Sequence, residues 1–367
     1  MPSMNVYWRS RIRCARRPWH MLVQALVIGL CSIIATHASA QRAQSGSTSL
    51  SLTPTGFGLG VLEGDPTQEF GAIGAVSVRD DGIVLVLDSR LSRLWAYRSG
   101  GQVVAGIGRA GSGPGEFRVA TSMATLSDGA IAVLDHSLAR FSFFELRGDS
   151  LAFMRSFQLL SPARDFCFFG GILYVAGSGS VPSGVITRFG MDGTEQGSFG
   201  GLFGDEKDAY LANILSLRLR IACVPNKEIV LIASEWLPEV RAYHGPSGRL
   251  LWTTKASQFE QTDIIRVGTA VQFKPPPSQS IHKVDRLLPL EKDIIAVQLE
   301  RMWRTATDGP VQREYALRLI DAETGFEIGV QTGLPQILEV ANTLAFVADT
   351  TDFPRLLGVR IRVDARP

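Results

Sequence analysis

Apolar residues in this chain fall in short runs, each closed by a turn. Residues 83–88 read IVLVLD and residues 130–135 read AIAVLD, and each run follows an Asp-Gly pair, Asp81-Gly82 or Asp128-Gly129. Runs this short, without a 3.6-residue period, predict strands buried on both faces, and Asp-Gly favours the tight turn of a hairpin.

The pattern repeats. Sliding the chain by 47 residues lays Gln68-Glu69-Phe70, Asp81-Gly82, residues 83–88 and Arg93 onto Gly115-Glu116-Phe117, Asp128-Gly129, residues 130–135 and Arg140. Looser copies follow at 171–176 (GILYVA), 228–233 (EIVLIA), 293–298 (DIIAVQ) and 343–349 (TLAFVAD), which makes six. After five of them comes a second hairpin, with turns at Ser99-Gly100-Gly101, Arg147-Gly148-Asp149, Asp192-Gly193, Ser247-Gly248 and Thr324-Gly325. Six four-stranded antiparallel units predict an all-β, six-bladed β-propeller, since radial repetition buries both faces of many small sheets. Alternating helices are lacking, which disfavours a parallel α/β fold. The sixth unit runs out of chain after 356–363 (LLGVRIRV), one strand short. The strand-like stretches 49–52 and 58–62 are expected to supply the missing strand and close the ring.

The first forty residues are set apart. Five arginines between Arg9 and Arg17, an uncharged stretch over 21–34 and Ala38-Ser39-Ala40 read as a secretory signal cleaved after Ala40. A retained anchor is the alternative, although the apolar run is short for a membrane span. The expected product, 41–367, is a single propeller, soluble, monomeric, and periplasmic or secreted. Its formal charge drops from +2 for the whole chain to about −3, because the signal holds five arginines and no acids. That argues against nucleic acid as a partner. Of four cysteines, only Cys167 and Cys223 remain. They fall on adjacent inner strands with registers that differ by one residue, so free buried thiols are expected, with a disulfide as the alternative.

At residues 108–117 (GRAGSGPGEF), followed by Asp128-Gly129 and Val133-Leu134-Asp135, the text resembles the NHL-type repeat of six-bladed propellers. The resemblance is specific in two blades and covers the rest at the level of pattern. It implies the propeller fold and a secreted bacterial setting in which ligand-binding and scaffold proteins sit beside minorities of gluconolactonase-like, paraoxonase-like and amidating enzymes. The fold alone does not choose among them.

Candidate chemistry is sparse. Gly106 to Gly111 match G-x-G-x-x-G, but Ser-Gly-Pro-Gly follows instead of a helix, so no helix terminus would receive a pyrophosphate. Asp88, Asp135 and Asp349 recur at equivalent strand ends, where a carboxylate fixes the next turn. Asn213, Asn226 and Asn342 do not occupy matching positions, so the channel set of Glu, Asn and Asp that the lactonase-like enzymes carry is not reproduced. His136, His244 and His282 share no metal-ligand spacing. No metal, cofactor or catalytic residue is therefore assigned. A metal-dependent propeller hydrolase or lyase is the alternative to a non-catalytic binding or scaffold protein.

The suggestive feature is basic. Arg164, Arg220 and Arg286 fall near one position at the start of the inner strands of blades three, four and five, where guanidiniums at a funnel mouth would suit a small anion. Asp165 and Asp285 adjoin two of them, so local ion pairs are the competing explanation. In blade five, 274–278 (KPPPS) and 303–315 read as insertions, and Arg301, Trp303 and Arg304 form a candidate tip for an unknown protein partner.

Overall fold

A computed structural model describes residues 48–364, except 178–183, 206, 258, 269, 275, 277 and 306–308. The signal segment lies outside the described residues, as do parts of the two blade-five stretches. Among the described residues, six four-stranded antiparallel sheets follow one another around an axis. Blades one to five comprise residues 73–107, 120–158, 165–199, 219–255 and 281–334. Blade six takes three strands from 336–364 and its outermost from Ser49–Leu59, which pairs antiparallel with Arg355–Asp364. The fold is a six-bladed β-propeller.

The sequence explains its parts. Asp-Gly turns need a left-handed residue, and Gly82 (φ 80°) and Gly129 (φ 81°) supply it. Asp88 is fully buried and accepts backbone N–H bonds from Gly71, Ala72, Arg90 and Leu91. Asp135 does the same with Arg118, Val119 and Leu138. Both acids lock the link between blades to a strand end, the scaffold role their recurrence predicted. Asp349 instead holds its own turn, through Thr351, and pairs with Arg355. Gly106 lies against the face of Trp95, where an added Cβ would fall 2.2 Å from the ring, so this glycine serves packing.

The core is divided into six apolar layers, each pressed between two neighbouring blades. One of them joins blade six to blade one through Leu338, Phe346 and Leu356 against Val76, Val86 and Tyr97, with Leu59 of the N-terminal strand completing it.

Each blade starts with its inner strand: Ile73–Val78, Ala120–Thr125, Asp165–Phe169, Leu219–Val224, Ile281–Pro289 and Gln336–Ala341. Antiparallel order places the starts of these strands, together with the turns between second and third strands, at one end of the axis, the entry mouth. Two additions not expected from the sequence sit in connections at this end. Helix α1 (Ala209–Ser216), capped by Asp208, precedes blade four, and a hairpin of Asp263–Val267 with Ala270–Lys274 precedes blade five. Residues 303–304 and 311–315 belong to two long strands, Ile294–Arg304 and Val311–Asp321, that extend their pairing as far as Arg304 opposite Val311. No helix among the described residues is long and apolar enough to cross a membrane.

Candidate functional site

The inner strands enclose an axial channel of about 320 Å³. Its charged lining comes from successive blades: Asp165 from three, Arg220 from four, Arg286 from five and Glu339 from six, with Ser122 from two. Blades one and two contribute no ionisable residue from their inner strands, whose sequences are IGAVSV and ATSMAT.

Asp165 ties three blades together. It accepts from Ser122 Oγ (2.8 Å), from the N–H of Phe166 (3.0 Å) and from the N–H of Ile221 (3.2 Å). Burial pushes its carboxyl up, against the pull of Arg220 and these bonds. The bond to Ile221 also aligns the strands of blades three and four, so that two residues further on Cys167 meets Cys223.

These cysteines form a disulfide, with Cα atoms 5.6 Å apart, which corrects the expectation of free thiols. The error came from counting register without gaps. Blade three turns through Gly170-Gly171, whereas blade four turns through a 3₁₀ segment, Pro225–Lys227, and a left-handed Glu228 (φ 54°). The two connectors differ by two residues, so a count that crosses them without a gap loses the register.

The three arginines are placed differently. Arg286 reaches Gly74 of blade one, donating to its carbonyl oxygen at 3.2 Å, and its Nε lies 3.9 Å from Asp285. The local ion pair is therefore real for Arg286. Asp285 also accepts from Gln298 (2.8 Å) and Gln336 (3.0 Å). Burial opposes its charge, yet Arg286, Arg220 and these amides outweigh it and hold the carboxyl below its ordinary range. Arg220 lines the channel half-buried and, among the described residues, makes no hydrogen bond or ion pair with protein. Arg164 occupies the equivalent position in blade three, one residue before Asp165 as Arg220 is one before Ile221. It is half-buried at the rim and is likewise unpaired among the described residues. Burial, then the like charge of Arg218, pushes its pKa down.

Sequence reading passed over two groups here. Arg218 ends the connection after α1, and its side chain lies 3.5 Å from Glu235. His136, given no role by its spacing, stands at the rim with Nδ1 3.1 Å from the Ala163 carbonyl oxygen, and burial and Arg164 lower its pKa. The rim continues into blade five as an ion-pair chain, Glu235 to Lys283 to the buried Glu300, which Arg313 also contacts at 3.1 Å. The proposed partner tip is internally engaged: Arg301 lies 3.6 Å from Glu314 and over the Trp303 ring, and Arg304 donates to the Gly309 carbonyl at 3.1 Å.

Glu339 was also missed. It reads as one polar residue in the strand QILEVA, yet it faces the channel and accepts no hydrogen bond among the described residues. Burial raises its carboxyl to about 8; Arg286 pulls it down and Asp165 pushes it up. An acid with a raised folded pKa favours the folded state only while protonated, so stability falls as pH rises from its unfolded value toward 8. The two shifted histidines act in the opposite sense, but below about pH 6.5. Between pH 6.5 and 8.5, wild type is therefore expected to lose melting temperature relative to Glu339→Gln in parallel scans. Parallel curves across that window would contradict the raised pKa of this acid.

His282 forms a contact that resembles a catalytic pair, with Nε2 3.2 Å from Ser280 Oγ. Its Nδ1 accepts the N–H of Glu260 at 3.3 Å, which puts the ring proton on Nε2. The ring therefore donates to Ser280 and is not set up to deprotonate it.

No protein-family profile matches the chain, and no curated protein resembles it in sequence. Solved structures resemble it in fold. A member of the DUF4221 family from Bacteroides vulgatus superposes with a TM-score of 0.59 at 8% identity, covering 88% of this chain and all of that one. A Bacteroides fragilis protein gives 0.51 at 13% identity, covering 87% and 96%. Virginiamycin B lyase from Staphylococcus aureus gives 0.45 at 11% identity, covering 85% and 99%. At these identities the likeness is one of fold.

Proposed function

We propose that this protein is an exported, non-catalytic binding propeller that holds a small anionic ligand where the entry mouth meets the channel. The observation that carries the reading is the pair Arg164 and Arg220, equivalent residues of adjacent blades, half-buried and unpaired among the described residues. A half-buried guanidinium without a protein acceptor keeps only part of its hydration, and same-sign neighbours add to the cost. Arg218 supplies that same sign beside Arg164. A carboxylate or phosphate offsets both effects, and it matches the planar fork of an arginine with two parallel hydrogen bonds. Export is supported by the signal-like first forty residues and by the Cys167–Cys223 disulfide, a bond that persists in oxidising compartments.

Calorimetric titration with phosphate, succinate and citrate at low salt is the test. Wild type is expected to bind at least one of them, with affinity falling as salt rises. Arg220→Gln and Arg164→Gln are each expected to weaken binding about tenfold or more, because a charge-assisted pair is lost. The ligand-free melting temperature of Arg164→Gln is expected to hold or rise, since that substitution relieves the like-charge contact with Arg218. Full binding in both variants would overturn the reading.

A further inference from the structure

A count of hydrogen bonds around the channel separates the groups already satisfied from those with spare capacity. Both oxygens of Asp165 are taken, by Ser122 and two backbone N–H groups. Asp285 accepts through one oxygen from Gln298 and Gln336 with Arg286 alongside at 3.9 Å, and Arg286 is tethered to Gly74 by one terminal nitrogen while its buried Nε meets no hydrogen-bond acceptor among the described residues. The ionisable lining groups that meet no protein hydrogen-bond partner at all among the described residues are Arg220 of blade four and Glu339 of blade six, and they are of opposite kind. One presents only donors, the other a carboxyl with no protein donor among the described residues. A ligand with only anionic groups would serve Arg220 and leave Glu339 unmatched. A simple cation would do the reverse.

Building on the anion-binding reading above, we propose that the channel ligand is a zwitterion of the amino-acid class, with its carboxylate on Arg220 and its ammonium on Glu339. The inner strand of blade six packs against those of blades one and five. The inner strand of blade one offers it no ionisable residue, and that of blade five carries His282, held by Glu260 and Ser280, Lys283, paired with Glu300, and Asp285 and Arg286, engaged with each other. Beyond these, Asp165 and Arg220 complete the ionisable channel lining, and Asp349 on the adjacent strand of blade six is paired with Arg355. Glu339 is thus the channel acid free to answer an ammonium. In the ligand-free protein it keeps its proton at neutral pH. Binding then releases that proton to solvent as the ammonium–carboxylate pair forms, so charge and protons balance.

The experiment uses two matched pairs, succinate with aspartate and glutarate with glutamate, in which the members differ by one amino group. Titrations of the wild-type protein are run at pH 7 in two buffers of different ionisation enthalpy. The amino acid of a pair is expected to bind about tenfold tighter than its parent, as a charge-assisted hydrogen bond implies. Its binding enthalpy is expected to depend on the buffer, reporting proton release. Glu339→Gln is expected to bring the pair within about twofold and to abolish the buffer dependence, while the parent diacid keeps its affinity. Equal binding within both pairs in wild type overturns the zwitterion assignment and leaves the anion-binding reading standing. Binding of none of the four acids overturns both. The wild-type comparisons stand whether or not the Gln variant folds.

Discussion

Deletion of everything up to Leu59 is expected to leave a chain that does not reach a stable monomeric fold. The lost strand is the outer edge of blade six, paired with the last strand from Ser49 opposite Asp364 to Leu59 opposite Leu356. Leu59, 2% exposed, fills the layer between blades six and one, and Leu50 fills the layer between five and six. The N–H of Thr48 also donates to Ile328 of blade five at 3.0 Å. Without this strand, Arg355–Asp364 becomes an open edge carrying Leu356, Val359, Ile361 and Val363, a template for pairing with other chains. The expected result is aggregation on size-exclusion chromatography and loss of the cooperative melt, with partial recovery when a peptide spanning 48–59 is supplied during refolding. A soluble deletion product melting at the wild-type temperature would refute closure by this strand.

The second large effect concerns the disulfide. Cys167 and Cys223 are 56 residues apart in sequence and join the inner strands of blades three and four in the channel wall. In the chain-entropy account, a crosslink over a loop of this length stabilises by about 4 kcal/mol, because it restricts the unfolded chain. The Cys167→Ala/Cys223→Ala double variant should therefore melt lower by on the order of 10 °C, by calorimetry under non-reducing conditions. Wild type in strong reductant should move toward the variant, and the variant should not respond. An unchanged melting temperature in both would show that the bond does not form in solution.

The fold was legible for a local reason. Each blade needs a buried run, a turn that accepts a positive φ and an acid that fixes the next connection, and these requirements leave the same marks at Asp81-Gly82 to Asp88 and at Asp128-Gly129 to Asp135. The closing strand was legible by subtraction, since blade six was one strand short. The candidate site was only partly legible. Arg164 and Arg220 stood out because they precede equivalent strands. Glu339 looked like an ordinary polar residue in an apolar strand, and no motif marked Arg218 or His136. Helix α1 and the hairpin 263–274 interrupt the repeat, so the periodicity had no bearing on them.

The sequence by itself determined the strand pattern, the count of blades and the way the ring closes, because those follow from short-range hydrogen bonding and from alternating burial along the chain. Only the tertiary structure decided the pairing of Cys167 with Cys223, the engagement of Arg286 by Asp285 and Gly74, and the spare capacity of Arg220 and Glu339. Those outcomes depend on which donors and acceptors from different blades meet around one axis, and a one-residue change in a connector is enough to alter the meeting.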